Sequence, residues 1–342
     1  MKHTPATLIP RLAFALLIAL SLWPALARAQ DAPQDPAALP SLADQPVSLR
    51  PQWEDGQTAR YTFWTRTQKD EKAAVLDREQ AKKTTFVTEG QMTWTVESVN
   101  DDGSAACTLK LDKIKFTITA ADQPPSVIDS ENPDGSQPVF EELVAAMVST
   151  PLQVKVEADG TIAGVEGIEA MKNAAGQQAV EADMVPEEID FIETASELAT
   201  LISAPESATP GQTWNTRNTW KHDNIVPGTE TFGDWDTTFT YASVGRVAGV
   251  PIATIKSTSD IDMKVDLSKL PEQSPDVDVQ VQGATGRGEI LFDLSRHETV
   301  ARNDSMTYTA TITVTPPNNR VPPININVTE TSQSQLLRIS EE

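Results

Sequence analysis

Ile261-Asp262-Met263-Lys264-Val265-Asp266-Leu267 and Val277-Asp278-Val279-Gln280-Val281, separated by Leu270-Pro271-Glu272-Gln273-Ser274-Pro275, read as the two arms of one hairpin. Side chains along a strand alternate between faces, so the apolar odd positions of both arms bury one common face. The charged even positions share the other face, where Asp260, Asp262 and Asp266 face Asp276 and Asp278. Working outward, the same period predicts long antiparallel strands over residues 212–222, 229–246, 249–267, 276–294, 297–315 and 323–339. Gly283-Ala284-Thr285-Gly286-Arg287-Gly288 falls inside one of them with no helix start behind it to hold a phosphate, and reads as a strand bend or bulge.

The earlier chain carries the same signal. Tyr61 and Phe63 alternate with threonines, Met92, Trp94 and Val96 do likewise, and Asn100-Asp101-Asp102-Gly103 marks a hairpin turn before a strand over residues 105–119. Within that strand Cys107, Leu109 and Leu111 are odd whereas Ile114, Phe116 and Ile118 are even, which points to a bulge or sharp bend near Asp112-Lys113. Three segments between the two β regions read as helical. Phe140, Leu143, Val144, Met147 and Val148 share one face over residues 139–149, stopped by Thr150-Pro151; residues 166–178 form a second helix; residues 186–203 form a third, with Pro186 in its first turn. A hairpin turning at Asp159-Gly160 separates the first two.

Asp55-Gly56-Gln57-Thr58 recurs as Pro210-Gly211-Gln212-Thr213, and Thr93 to Val99 recurs as Thr238 to Val244, in the same order and at similar spacing. The fold class expected is therefore α+β and β-dominated: two related modules of long curved antiparallel strands, half-barrel-like, with a few helices on the concave face. Their bounds are residues 52–205 and 206–342. Gly56-Gln57 before an aromatic strand, Met92-Thr93-Trp94-Thr95-Val96 running into the 100–103 turn, Glu157-Ala158-Asp159-Gly160-Thr161 and Pro210-Gly211-Gln212-Thr213-Trp214 together resemble a domain-of-unknown-function family of exported bacterial β-rich proteins. These motifs are turns and strand starts, so the resemblance implies a fold and carries no catalytic residue. The architecture is similar, more distantly, to periplasmic lipoprotein carriers of the LolA type, a likeness of shape alone.

Residues 1–29 read as a cleavable signal peptide, with Lys2 and Arg11 ahead of an apolar run too short to span a bilayer and Ala27-Arg28-Ala29 at the cleavage site. No cysteine follows that run, so no lipid anchor is expected, and no later stretch is apolar enough for a membrane helix. Residues 30–51 hold five prolines and read as a disordered tether. The expected location is periplasmic or extracellular. Of the 27 Lys and Arg, three lie in the signal peptide; the remaining 24 face 49 Asp and Glu, a net charge of −25. Such a field repels nucleic acid and anionic lipid, and attracts cations and basic proteins.

The chain offers little catalytic chemistry. His222 and His297 each precede a carboxylate, Asp223 and Glu298, but neighbours on a strand point to opposite faces and form no dyad. One cysteine, Cys107, and two histidines outside the leader build no zinc site, and no nucleophile or phosphate-loop motif is present. No cofactor is expected. The five aspartates of the hairpin form the sole metal candidate, a weak surface Ca²⁺ patch. Trp64, Trp94 and Trp220 read as core; Trp53, Trp214 and Trp235 stand at strand starts, where an aromatic covers an open end or stacks on a sugar. The function expected is non-enzymatic binding in the cell envelope, of an apolar or lipid-like small molecule held between sheet and helices, with Phe140, Leu143, Met147, Trp214 and Trp235 lining the site. Two other readings stand beside it: an interaction module holding a basic envelope protein by its acidic surface, and a carboxylate-dependent hydrolase.

Overall fold

The computed structural model describes residues 45–75, 78–121, 123–132, 138–176, 204–223, 230–266, 276–315 and 322–339. The expected signal peptide, residues 30–44, the expected turn after Asp266 and the third expected helix lie outside the described residues, as do the side chains of Trp220, His222 and Asp266.

Among the described residues twelve strands join in one antiparallel sheet. In chain order they are β1 (Thr58–Val75), β2 (Arg78–Val99), β3 (Ala105–Ala120), β4 (Ser126–Asp129), β5 (Leu152–Val156), β6 (Ile162–Glu166), β7 (Thr213–Asp223), β8 (Glu230–Val247), β9 (Val250–Asp266), β10 (Asp276–Asp293), β11 (Glu298–Thr315) and β12 (Ile324–Ile339). The spatial order is β6-β5-β3-β2-β1-β12-β11-β10-β9-β8-β7, with β4 on β3. Among the described residues two helices, α1 (Pro138–Ser149) and α2 (Ile168–Ala175), precede and follow the β5–β6 hairpin. Chain neighbours thus pair on either side, and the two halves meet where β1 ladders to β12 from Arg60↔Ile339 to Ala74↔Asn325. Strands from both sides of residue 205 share a single sheet.

The register puts one set of side chains on one face throughout. Tyr61, Phe63, Thr65, Thr67 and Lys69 of β1 stand opposite Arg338, Leu336, Ser334, Ser332 and Glu330 of β12. This inner face is buried; the outer face carries threonines and charges. Trp64 is one residue out of phase with Tyr61 and Phe63, so it is half-exposed on the outer face and is not the core residue expected of it. The parity switch in β3 is absorbed where Gln91↔Lys113 is followed by Met92↔Leu111, leaving Asp112 as the bulged residue. Gly283, at φ +62, lies in a second shift between Gln282 and Thr285. It lets Val277, Val279 and Val281 share the inner face with Ala284, Gly286 and Gly288.

Three apolar clusters line the inner face. The first joins Trp94, Val96, Cys107, Leu109, Val154 and Val165 to Leu143, Val144 and Met147 of α1 and Ile168 and Met171 of α2. The second gathers Tyr241, Ile255, Ile290 and Phe292 under Leu49, Ala204 and Ala208. The third, at the far end of β8–β12, holds Ile261, Ala284, Met306, Tyr308, Ala310 and Val328. Leu49 corrects the tether boundary: Val47 bridges to Ala208, Leu49 is fully buried, and Arg50 Nε donates to the Ala204 carbonyl at 3.0 Å, so residues 47–51 are seated on the sheet.

Cys107 is wholly enclosed in the first cluster. Burial, and secondarily the Glu97 carboxylate, push its thiol up to about 12. Only the thiolate is nucleophilic, so the native protein is expected to be inert to Ellman's reagent near neutral pH and to react once per chain when unfolded in urea. Fast native labelling would contradict this burial.

Candidate functional site

The start of β1 and the end of β12 lie beside the turn that opens β11, and a small cavity forms where they meet. It is lined by Pro51 and Trp53 ahead of β1, Gln57, Ala59 and Tyr61, Trp94 of β2, and His297, Glu298 and Thr299. Its free volume is about 10 Å³, close to that of one water. Trp94 reaches it because β2 pairs Trp94 with Ala59, whose methyl leaves room on the inner face. Trp53 covers it, ring centroid 6.0 Å from that of Trp94 and tilted by 39°.

Glu298 is the charged group of this corner, its side chain only 6% exposed. Arg338 Nη1 lies 2.6 Å from Oε1 and Arg296 Nη1 lies 3.6 Å from it. Both are ion-pair contacts to Oε1, while Oε2 has no hydrogen-bond partner. Burial pushes the Glu298 carboxyl up, against the pull of Arg338 and Arg296. The Tyr61 hydroxyl donates to the Thr299 carbonyl at 3.3 Å, and burial together with the Glu298 charge holds its phenol protonated. Trp53 Nε1, Trp94 Nε1 and His297 Nδ1 are also enclosed without a hydrogen-bond partner.

The expectation that His297 and Glu298 point apart fails here for a backbone reason. His297 has φ +53 and stands in the turn before β11, not within the strand, so it and Glu298 line the same cavity. Its ring meets Phe292 edge-on at 6.3 Å. Arg338 was equally silent in the sequence, since its place depends on the pairing of the first and last strands.

The repeated turns have matching geometry. Gly56 N donates to Val96 O at 2.9 Å and Val96 N to Gln57 O at 2.8 Å; Gly211 N donates to Tyr241 O at 2.7 Å and Tyr241 N to Gln212 O at 2.9 Å. Each turn needs positive φ at its glycine, +76 and +91. A register shift follows Val96 in β2 and Tyr241 in β8 at equivalent points. Trp214 stacks on Phe239 at 5.4 Å beside the second turn, as Trp53 lies on Trp94 beside the first.

The residues singled out as ligand-lining are dispersed. Leu143 and Met147 are buried in the first cluster, with Phe140 packed at its edge. Trp214 belongs to the second cluster and Trp235 to the third. The aspartate patch is split by the register: Asp260 and Asp262 stand opposite Asp236 and Asp234 of β8, whereas Asp276 and Asp278 stand opposite Thr315 and Thr313 of β11. Lys264 Nζ takes Asp262 at 2.6 Å, and Arg217 Nη2 takes Asp234 at 2.7 Å. Among the described residues no three His, Cys, Asp or Glu converge as metal ligands.

A second buried polar group lies mid-sheet on the inner face. Lys69, 3% exposed, pairs with Glu71 at 2.8 Å, and Glu330, facing Lys69 across the β1–β12 ladder, accepts a 3.0 Å hydrogen bond from the Tyr308 hydroxyl. Glu330 Oε1 has no hydrogen-bond partner. Burial pushes its carboxyl up to about 7.

Residues 102–296, more than half of the chain, match a family of unknown function, DUF6263. The chain belongs to this family. No curated protein matches the DUF6263 chain in sequence. Among solved structures it is similar to lipovitellin, determined for its lipid–protein interactions, at TM-score 0.44 and 10% identity over 84% of this chain and 26% of that one. It also matches the outer membrane protein OprG of Pseudomonas aeruginosa at TM-score 0.21 and 4% identity, over 84% and 99% of the two chains. The translocator domain of the autotransporter NalP of Neisseria meningitidis follows at 0.16 and 8%, over 81% and 88%. The chain spans about a quarter of the lipovitellin chain, and none of these likenesses reaches a TM-score of 0.5. No helix among the described residues is long and apolar enough to cross a membrane.

Proposed function

We propose that this DUF6263 protein is an exported, non-enzymatic binding protein of the cell envelope that holds an apolar, lipid-like ligand against the inner face of its sheet. The observation that carries the reading is the third cluster. Helices α1 and α2 pack at the β3–β6 end, within the first cluster. At the opposite end Met306, Ala310 and Val328, all buried, with Met263, Val281, Ile312 and Ile326 partly buried at the rim, form an apolar cluster to which, among the described residues, strands alone contribute. Side chains on one face of a broad sheet are the default lining of an apolar site. The matching turns at Gly56 and Gly211 support reading the chain as two copies of one module, fused through the β1–β12 ladder.

The test uses N-phenyl-1-naphthylamine, a neutral apolar dye that the protein's negative field does not repel. Ile312 and Ile326 are cross-strand partners on the inner face, and Thr311 is their outer-face neighbour. Ile312→Glu is expected to weaken dye binding about tenfold or more, the cost of one charge against an apolar ligand, whereas Thr311→Glu leaves it unchanged. Equal binding by both folded variants would overturn the reading. Native mass spectrometry of protein purified from its own envelope then identifies the resident lipid.

A further inference from the structure

We propose that the cavity behind Trp53 is a second binding site, separate from the apolar face, and that it takes a hydroxyl of a saccharide whose ring lies on Trp53. Buried polar atoms are nearly always hydrogen-bonded, and each exception is costly. Here Trp53 Nε1, Trp94 Nε1, His297 Nδ1 and Glu298 Oε2 have no hydrogen-bond partner and belong to residues lining one cavity, while Glu298 Oε1 is held by the two arginines. Glu298 is itself more than nine-tenths buried.

The chemistry of these atoms selects the occupant. An indole N–H only donates and a carboxylate only accepts. An ammonium would satisfy Glu298 but leave the indoles unpaired, and would sit against Arg338, 2.6 Å from the same carboxylate. An anion would satisfy the indoles but face Glu298. A hydroxyl does both, accepting from the indoles and donating to the carboxylate. The cavity's volume of about 10 Å³ admits one such group, a water or a ligand hydroxyl. The rest of the ligand must lie outside, where Trp53 is partly exposed; an indole face is the surface on which the apolar side of a sugar stacks. Replacing a water by a ligand hydroxyl keeps its hydrogen bonds, so the displacement costs little.

The experiment is a fluorescence titration of the full-length protein with maltotriose, cellotriose and chitotriose at millimolar concentration. Saturable binding of at least one is expected. Trp53→Phe keeps the stacking ring and loses the N–H, and is expected to raise Kd about tenfold; Trp53→Ala abolishes binding; Trp64→Phe, on the outer face, has no effect. Circular dichroism and urea midpoints matching the parent show that each variant is folded. Absence of binding by all three sugars, binding retained in Trp53→Ala, or a crystal structure grown with the sugar that holds only water in the cavity would each overturn the proposal.

Discussion

Between pH 5 and pH 8 the folded state loses about 2–3 kcal/mol of stability through Glu330, and Glu330→Gln removes that loss. The Glu330 carboxyl is pushed from 4.5 in the open chain to about 7 in the folded one, with burial as the first cause. A group whose folded pKa is raised contributes its full stability below the unfolded value and loses it as pH rises through the folded value. The window therefore runs from about 4.5 to just above 7, with stability falling toward alkaline pH. The surroundings limit the relief available to the charged form. Tyr308 donates one hydrogen bond, and Lys69 is already held by Glu71 at 2.8 Å. Glutamine keeps an oxygen for the Tyr308 hydroxyl without the charge. Urea unfolding at the two pH values measures the difference. Glu298 is shifted in the same direction, so the comparison between variant and parent isolates Glu330. A variant with the parent's pH slope would show that Glu330 is ionised at no cost.

That glutamate also shows what alternation could and could not reveal. All six strands expected after residue 211 are present within one residue at each bound, because apolar odd or even positions beside threonine define both period and phase. The bulge at Asp112 and the irregularity at Gly283 were legible for the same reason: a phase change in the pattern must be absorbed by an extra residue. The β1–β12 ladder was not legible. Its middle stretch carries Thr67, Lys69, Glu330, Ser332 and Ser334, polar on the inner as well as the outer face, so the pattern there loses the contrast that fixes register and partner. With that ladder hidden, so was the corner it builds. Trp53 stood out at its strand start, but Glu298 meets Arg338 through the closure of the chain's two ends, and His297 turns toward Glu298 through a positive φ that its sequence neighbours do not announce.

Gly90→Ala is expected to destabilise the protein by about 2–3 kcal/mol, the cost of forcing a methyl into a closed inner face. Gly90 pairs with Phe63 of β1, and the ring lies over the bare Cα. A Cβ there would come 2.5 Å from Phe63 Cζ and 2.5 Å from the Lys113 carbonyl oxygen. The first obstacle is a side chain able to tilt; the second is backbone, fixed beside the β3 bulge by the ladder that pairs Gln91 with Lys113. The two differ in how they respond to a second change. Phe63→Leu removes the ring, so the double variant recovers part of the loss, whereas the carbonyl contact persists and keeps it less stable than Phe63→Leu alone. Gly164→Ala, in β6, supplies the contrast: nothing lies within 4 Å of its Cβ position, and its urea midpoint should match the parent. Equal midpoints for the Gly90 and Gly164 variants would mean that β2 and β3 separate freely at the bulge. The inner face would then be loosely packed at the point where the first cluster meets the polar ladder.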